Sequence, residues 1–286
     1  MKISKLFAVP AGIALLLIVP NTVLAQSDDF GYELGVNAEK KIASGLKFGL
    51  DASMRTQDDA EKIDRYSVGA DLSMRLFQSK DKRFSLKANA GFEYLWTQQL
   101  KDSIAHFDDV LDEAGNVVGK EKDGYNVTDK YWRNRSRVNV GLNAGFNPNK
   151  RWSFSLKETV QYSHYCGVNS IDRTKYRYNK LGMLYRKDEL DPSEPKTISK
   201  AHKDCFVLRS KLSASYDIRN FPIDVFASVD YGCGLNYNTN KWKFTIGYDY
   251  KINKTNKITL QYRYNTEDDD DEANGHLIGL GYKFEF

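Results

Sequence analysis

The chain has 286 residues, and its 42 Lys and Arg exceed its 38 Asp and Glu by only four, so composition gives no case for a nucleic-acid partner. Three cysteines are too few for a disulfide-dense secreted scaffold. Mean hydropathy is -0.58, and beyond the N-terminus no run reaches the roughly 18–20 apolar residues of a membrane-spanning helix, which excludes helical channels and transporters.

Residues 1–25 read as a secretory signal peptide. Lys2 and Lys5 form a positive start, Leu6 to Val19 an apolar run, and Pro20-Asn21 a break. Val23-Leu24-Ala25 then places small residues where signal peptidase reads, which predicts cleavage before Gln26 and export. The apolar run is short for a membrane anchor, and no cysteine follows the cut to carry a lipid.

Residues 26–286 read as one all-β domain. Apolar and polar residues alternate with period two from Tyr32 to Ala38, Leu46 to Met54, Tyr66 to Met74, Phe84 to Trp96, Val138 to Phe146 and Trp152 to Leu156. The pattern returns from Phe206 to Tyr216, Ile223 to Tyr231, Trp242 to Tyr250, Ile258 to Tyr264 and Ile278 to Phe286. Such alternation means strands with one apolar and one polar face. Their length exceeds that of sandwich strands, and short connections alternate with long charged ones at 97–130, 165–204 and 266–274. Aromatic residues collect at strand ends: Phe77, Phe84, Phe146, Trp152 and Phe221 beside short turns, Tyr66, Trp96, Trp132, Tyr162 and Trp242 beside long loops. These features predict a transmembrane up-and-down antiparallel β-barrel of the outer-membrane type. Eleven strands are counted where single-chain bacterial barrels have even numbers, so 10–12 are expected. The expected surroundings are outer-membrane lipid and lipopolysaccharide. An alternating last strand ending on Phe286 resembles the signal that such barrels present to the barrel-assembly machinery.

Several stretches carry a family resemblance: Asp29-Phe30-Gly31-Tyr32, Lys62-Ile63-Asp64-Arg65-Tyr66-Ser67-Val68-Gly69, Tyr131-Trp132-Arg133-Asn134-Arg135-Ser136-Arg137, Val207-Leu208-Arg209-Ser210-Lys211-Leu212, and His276-Leu277-Ile278-Gly279-Leu280-Gly281-Tyr282-Lys283-Phe284. Together they resemble the uncharacterised outer-membrane barrel family of Bacteroidetes called domain of unknown function 2490, across essentially the whole exported chain. The resemblance implies fold and location and no chemistry. Where that family commonly has an Arg-Glu-Arg-Trp-Gln-Tyr run, this chain has Lys157-Glu158-Thr159-Val160-Gln161-Tyr162, without the second basic residue and the tryptophan.

Arg133, Arg135 and Arg137 share one strand face, with parity toward the lumen, and Arg209 and Lys211 point the same way. Stacked cations could bind a phosphate or carboxylate or select for anions. Alternatively they form ladders with inward acids such as Asp51, Asp71, Glu93, Asp224, Asp230 and Asp249, filling a narrow lumen. Glu158 has the lipid-facing parity, where a carboxylate is costly. A bulge turning it inward is the expected explanation; a polar wall site with Ser210 is the alternative. Cys166 and Cys205 are candidates for a disulfide at the base of the longest loop, with Cys233 as a competitor. The acidic run 267–272 has no EF-hand spacing. His106, His164, His202 and His276 fall in no catalytic or metal-binding motif. The expectation is therefore a non-enzymatic envelope barrel that binds or passes small solutes, without metal or cofactor. A lipid-modifying enzyme with a wall or rim site and a structural or adhesion barrel are the alternatives.

Overall fold

The computed structural model describes residues 29–57, 59–99, 102–111, 117–179, 181–187, 196–237, 240–267 and 275–286. Residues 1–25, read above as a signal peptide, and the acidic residues 268–272 lie outside them. The chain divides into two compact units, the first comprising residues up to Leu95, Arg137–Ser163 and Cys205–Phe286, the second Trp96–Ser136 and His164–Asp204.

The first unit is a closed barrel of eleven strands. Four open it: β1 (Asp29–Ala43), β2 (Leu46–Gln57), β3 (Lys62–Gln78) and β4 (Phe84–Gln99). The chain returns through β7 (Tyr131–Phe146), β8 (Trp152–Tyr165) and β12 (Lys203–Asp217). It ends on β13 (Ile223–Gly234), β14 (Asn240–Lys251), β15 (Asn256–Glu267) and β16 (Gly275–Glu285). These are the eleven alternating segments of the sequence, one for one.

The odd number is accommodated at the closure. Each hairpin reverses the chain, so in an eleven-strand meander the first and last strands run the same way. β1 and β16 accordingly pair in parallel, in unbroken register from Asp29↔Gly275 to Glu39↔Glu285. No barrel strand is missed or split among the described residues: the alternation beyond Tyr231 is simply the end of β13.

The barrel is polar inside and apolar outside. Among the described residues of this unit, nine polar or charged side chains are buried and only four hydrophobic ones. Leu34, Leu50, Leu212 and Ile246 are each about half exposed or more, at 48%, 51%, 58% and 57%. In water such a wall would aggregate; in hydrocarbon it is the favourable surface, and closure leaves no unpaired strand edge. Aromatic pairs sit at both rims of the band. Phe84 stacks on Phe146 at 4.7 Å and Trp152 meets Tyr216 at 4.9 Å near the short turns. At the opposite ends Tyr162 meets Phe206 at 4.9 Å and Tyr231 meets Trp242 at 4.5 Å.

The short turns are built locally by polar side chains. Asn149 Oδ1 accepts from the backbone of Arg151 and Trp152, and Asn253 Oδ1 does the same for Thr255 and Asn256. Gly45 supplies a left-handed φ of +85° between β1 and β2.

The second unit corrects an expectation. The stretches read as two long loops form a sheet of β5 (Asp102–Leu111), β6 (Val117–Thr128), β9 (Val168–Tyr178) and β10 (Leu184–Arg186), in the order β10-β9-β6-β5. A short β11 (Thr197–Lys200) also pairs with β9. The first half of β6, Val117–Lys122, is exposed at every position. With neither face buried there, no apolar alternation marks the strand, and backbone pairing does the ordering.

Candidate functional site: a charged barrel lumen

Inward-facing side chains form a layered ionic interior. Arg55 and Asp64 make a buried pair, with Arg55 Nε donating to Asp64 Oδ2 at 2.8 Å. Arg263 bonds Glu33 at 3.0 Å across the closing seam, and Arg137 bonds Glu93 at 2.7 Å. Arg209 grips Asp230 and reaches Gln161 Oε1 at 3.2 Å. Toward the short turns, Lys251 bonds Asp224 at 2.7 Å, Lys257 bonds Asp249 at 2.8 Å and Lys283 bonds Glu39 at 2.5 Å. The expected ladders exist for Glu93, Asp224, Asp230 and Asp249.

The lumen is nonetheless not filled. Two cavities of about 400 and 460 Å³ lie within it and share Glu93, Arg137, Arg209, Lys211 and Asp230 in their walls. Around them stand eight basic side chains against four acidic ones. Most are held in the pairs above. Lys157, Lys211 and Asp71 line the second cavity and have neither a hydrogen bond nor an ion pair among the described residues.

The arginine trio of the sequence is divided between the two units. In the second unit, Arg133 donates to the carbonyl oxygens of Cys166 at 3.0 Å and Ala201 at 2.7 Å. Arg135 donates to the Tyr165 hydroxyl at 2.6 Å, and both guanidinium groups lie over the Tyr165 ring, at 5.2 and 4.9 Å. These two arginines organise backbone and an aromatic ring. In the barrel, Arg137 is held by Glu93.

Glu158 and Ser210 meet on the outer wall. The alternation of β8 runs undisturbed through Glu158, with exposed Leu156 and Val160 on the same face, so no bulge turns the carboxylate inward as expected. Ser210 Oγ donates to Glu158 Oε2 at 2.6 Å from the neighbouring β12, which offsets part of the cost of a carboxylate in hydrocarbon. The pair lies roughly midway between the Trp152–Tyr216 and Tyr162–Phe206 aromatic contacts.

The disulfide expected between Cys166 and Cys205 is not formed, and none of the three cysteines is bridged. Cys166 follows the end of β8 and is half-buried, and Cys205 is buried near the start of β12.

One group in the second unit has metal-ligand proximity that the sequence did not signal: His106, Asp108 and Asp123 bring ligand atoms within 4.8 Å of one another. Arg177 Nε, however, bonds Asp123 Oδ2 at 3.0 Å. A guanidinium already on the carboxylate opposes a second cation there, so the trio fits an ion-pair cluster better than a metal centre.

No family model matches the chain, and no curated protein matches it. Among solved structures, the β domain of the Bordetella autotransporter BrkA aligns with 86% of this chain and 86% of its own, at 12% identity and a TM-score of 0.43. The translocator domain of the Neisseria meningitidis autotransporter NalP aligns with 87% of this chain and 77% of its own, at 13% and 0.42. A Pseudomonas aeruginosa FadL homologue aligns with 83% of this chain and 62% of its own, at 13% and 0.38. These likenesses concern barrel architecture and carry no chemistry to this chain.

The lack of ladder pairing at two lumen acids escaped the sequence reading. Asp51 and Asp71 were expected as ladder partners, yet neither makes a hydrogen bond or ion pair among the described residues. Their mark in the sequence is a repeat, Gly49-Leu50-Asp51 and Gly69-Ala70-Asp71, one copy on each of two adjacent strands.

Proposed function

We propose that the protein is an outer-membrane β-barrel, exported by the signal peptide of residues 1–25, whose aqueous lumen binds or passes small charged solutes without enzymatic activity. The observation that carries this reading is the pair of lumen cavities walled by eight basic and four acidic side chains. A charged interior of one predominant sign raises the local concentration of counter-ions, so anions are favoured over cations. The apolar outer band fits surrounding lipid and lipopolysaccharide. The resemblance to the Bacteroidetes barrel family agrees with the location and adds no activity.

The test is conductance of the refolded protein in a planar bilayer under a salt gradient. Unitary steps with a reversal potential favouring chloride are the expected result. A silent bilayer, from a preparation whose heat-modifiable gel mobility confirms the fold, overturns passage of solutes.

One observation favours a second reading, a lipid-modifying enzyme: the Glu158–Ser210 hydrogen bond on the wall. Its position argues against it. Lipid ester bonds lie at the headgroup level, whereas the pair sits near the middle of the apolar band. The serine also bonds the carboxylate directly, with no imidazole relaying its proton.

A further inference from the structure

We propose that the barrel interior seats a small zwitterion, with one amine and at least one carboxylate, between an acidic wall on β2 and β3 and a basic wall on β8 and β12. The inference rests on the aqueous lumen proposed above and names the class of solute that it takes.

The acidic wall is built by reciprocal pairing. In the β2–β3 register Gly49 faces Asp71 and Asp51 faces Gly69, so the two Gly-x-Asp repeats interlock. Each carboxylate lies over the glycine of the other strand. A Cβ at Gly49 would stand 2.2 Å from Asp71 Oδ1, and one at Gly69 would stand 2.6 Å from Asp51 Oδ1. Glycine is therefore what allows both carboxylates to rest against this wall, and neither forms a hydrogen bond or ion pair with a cation among the described residues; Lys157 and Lys283 attract Asp71 only from a distance.

The basic wall follows from the register of β8 against β12. The backbone N–H of Asp217 donates to Arg151 O at 2.9 Å, and Ser210 bonds Glu158 at 2.6 Å. Both contacts fit one unbroken antiparallel register, and between them that register sets Lys157 directly opposite Lys211. Two like charges facing each other across neighbouring strands destabilise the pair unless an anion comes between them. Neither closes an ion pair among the described residues: Asp230, opposite Lys211 on β13, is engaged by Arg209 and attracts the two lysines only from a distance.

The two walls are set apart round the barrel by β4 and β7 on one side and by five strands on the other. The 460 Å³ cavity has Asp71, Lys157 and Lys211 in its lining, charges of both signs that attract across the space without closing an ion pair among the described residues. A simple anion entering there is drawn to the lysines and repelled by the aspartates; a simple cation meets the reverse. A molecule with a carboxylate at one end and an ammonium at the other satisfies both walls and orients itself across the lumen. The lysines, as point charges on flexible stems, tolerate carboxylates of differing geometry.

Isothermal titration calorimetry of the folded full-length barrel in detergent micelles tests this, with L-glutamate, succinate and putrescine as probes. Saturable glutamate binding, about tenfold tighter than succinate or putrescine, is expected. Asp71→Asn should bring glutamate down to the succinate level. Lys157→Gln with Lys211→Gln should weaken glutamate by about tenfold or more, while the double arginine replacement retains it. Lys80→Gln, on the exposed turn after β3, should change nothing. Equal binding of glutamate and succinate, unaffected by Asp71→Asn, overturns the zwitterion seat in favour of a plain anion site. No saturable heat with any probe overturns it even if the barrel conducts. Glutamate binding with the expected variant pattern in a barrel that is electrically silent upholds the seat and defeats solute passage instead.

Discussion

Side chains of the same type meet different fates in this protein according to what their strand neighbours offer. Arg133 and Arg135 spend their donors on two carbonyl oxygens and a phenol, Arg137 takes Glu93, and Arg209 takes Asp230. Lys157 and Lys211 are left facing each other. Glu158 is the residue most at odds with its surroundings, since the serine bond is its one side-chain hydrogen bond among the described residues, on a wall of leucine and valine. Replacing it with leucine removes a carboxylate from the hydrocarbon and leaves only a small hydroxyl behind. Glu158→Leu is accordingly expected to stabilise the barrel by about 1–2 kcal/mol in urea unfolding from phospholipid vesicles, below the cost of a basic residue at the same depth. A loss of stability instead would mean that the carboxylate serves a partner within the membrane.

At the level of elements, the parallel seam between β1 and β16 is the most unusual part of the barrel. Parallel ladders are slightly weaker per residue than antiparallel ones, yet this one continues without a bulge over its whole length. Side-chain pairing reinforces it from within: Glu33 of β1 reaches Arg263 of β15 past the seam, and Glu39 holds Lys283 of β16. The register can be tested with cysteines. In a background where Cys166, Cys205 and Cys233 are serine, Leu34→Cys with Leu280→Cys occupies directly paired positions and should cross-link within one chain on mild oxidation. Leu34→Cys with Phe284→Cys should not. The reverse outcome would displace the register, and cross-linking of neither pair would open the seam.

For the molecule as a whole, the lumen carries two superposed fields. On the proposed function, the excess of basic side chains sets an overall preference for anions. The separation of Asp51 and Asp71 from Lys157 and Lys211 adds a component across the lumen, which orients a dipolar solute. The first is long-ranged and subject to screening, with a Debye length of about 10 Å at 0.1 M salt and about 3 Å at 1 M. Anion preference in reversal-potential measurements should therefore fall markedly between those salt concentrations. A preference unchanged at 1 M salt would instead assign selectivity to direct contact with particular side chains.

The strands of the barrel could be read from the chain because alternation is a local property. At Leu46 to Met54 or Trp242 to Tyr250, each residue needs only to know which side of its own strand meets lipid. Inward parity was legible for the same reason, and Lys157, Arg209, Lys211 and Asp71, which share it, line the cavities. Which of those charges pair was not legible, because pairing depends on register between strands far apart in sequence and on how the ring closes. Glu33 meets Arg263 only because β1 lies beside β16 and near β15. Parity likewise put Glu158 outside, but only the β8–β12 register brought Ser210 to it. The strands of the second unit escaped notice because a strand such as β6, exposed at every position over its first half, leaves no alternation to find. Sequence alone thus determined an inside-out barrel. The tertiary structure decided its parallel closure and which charges remain unspent, since both are consequences of register, which no single strand contains.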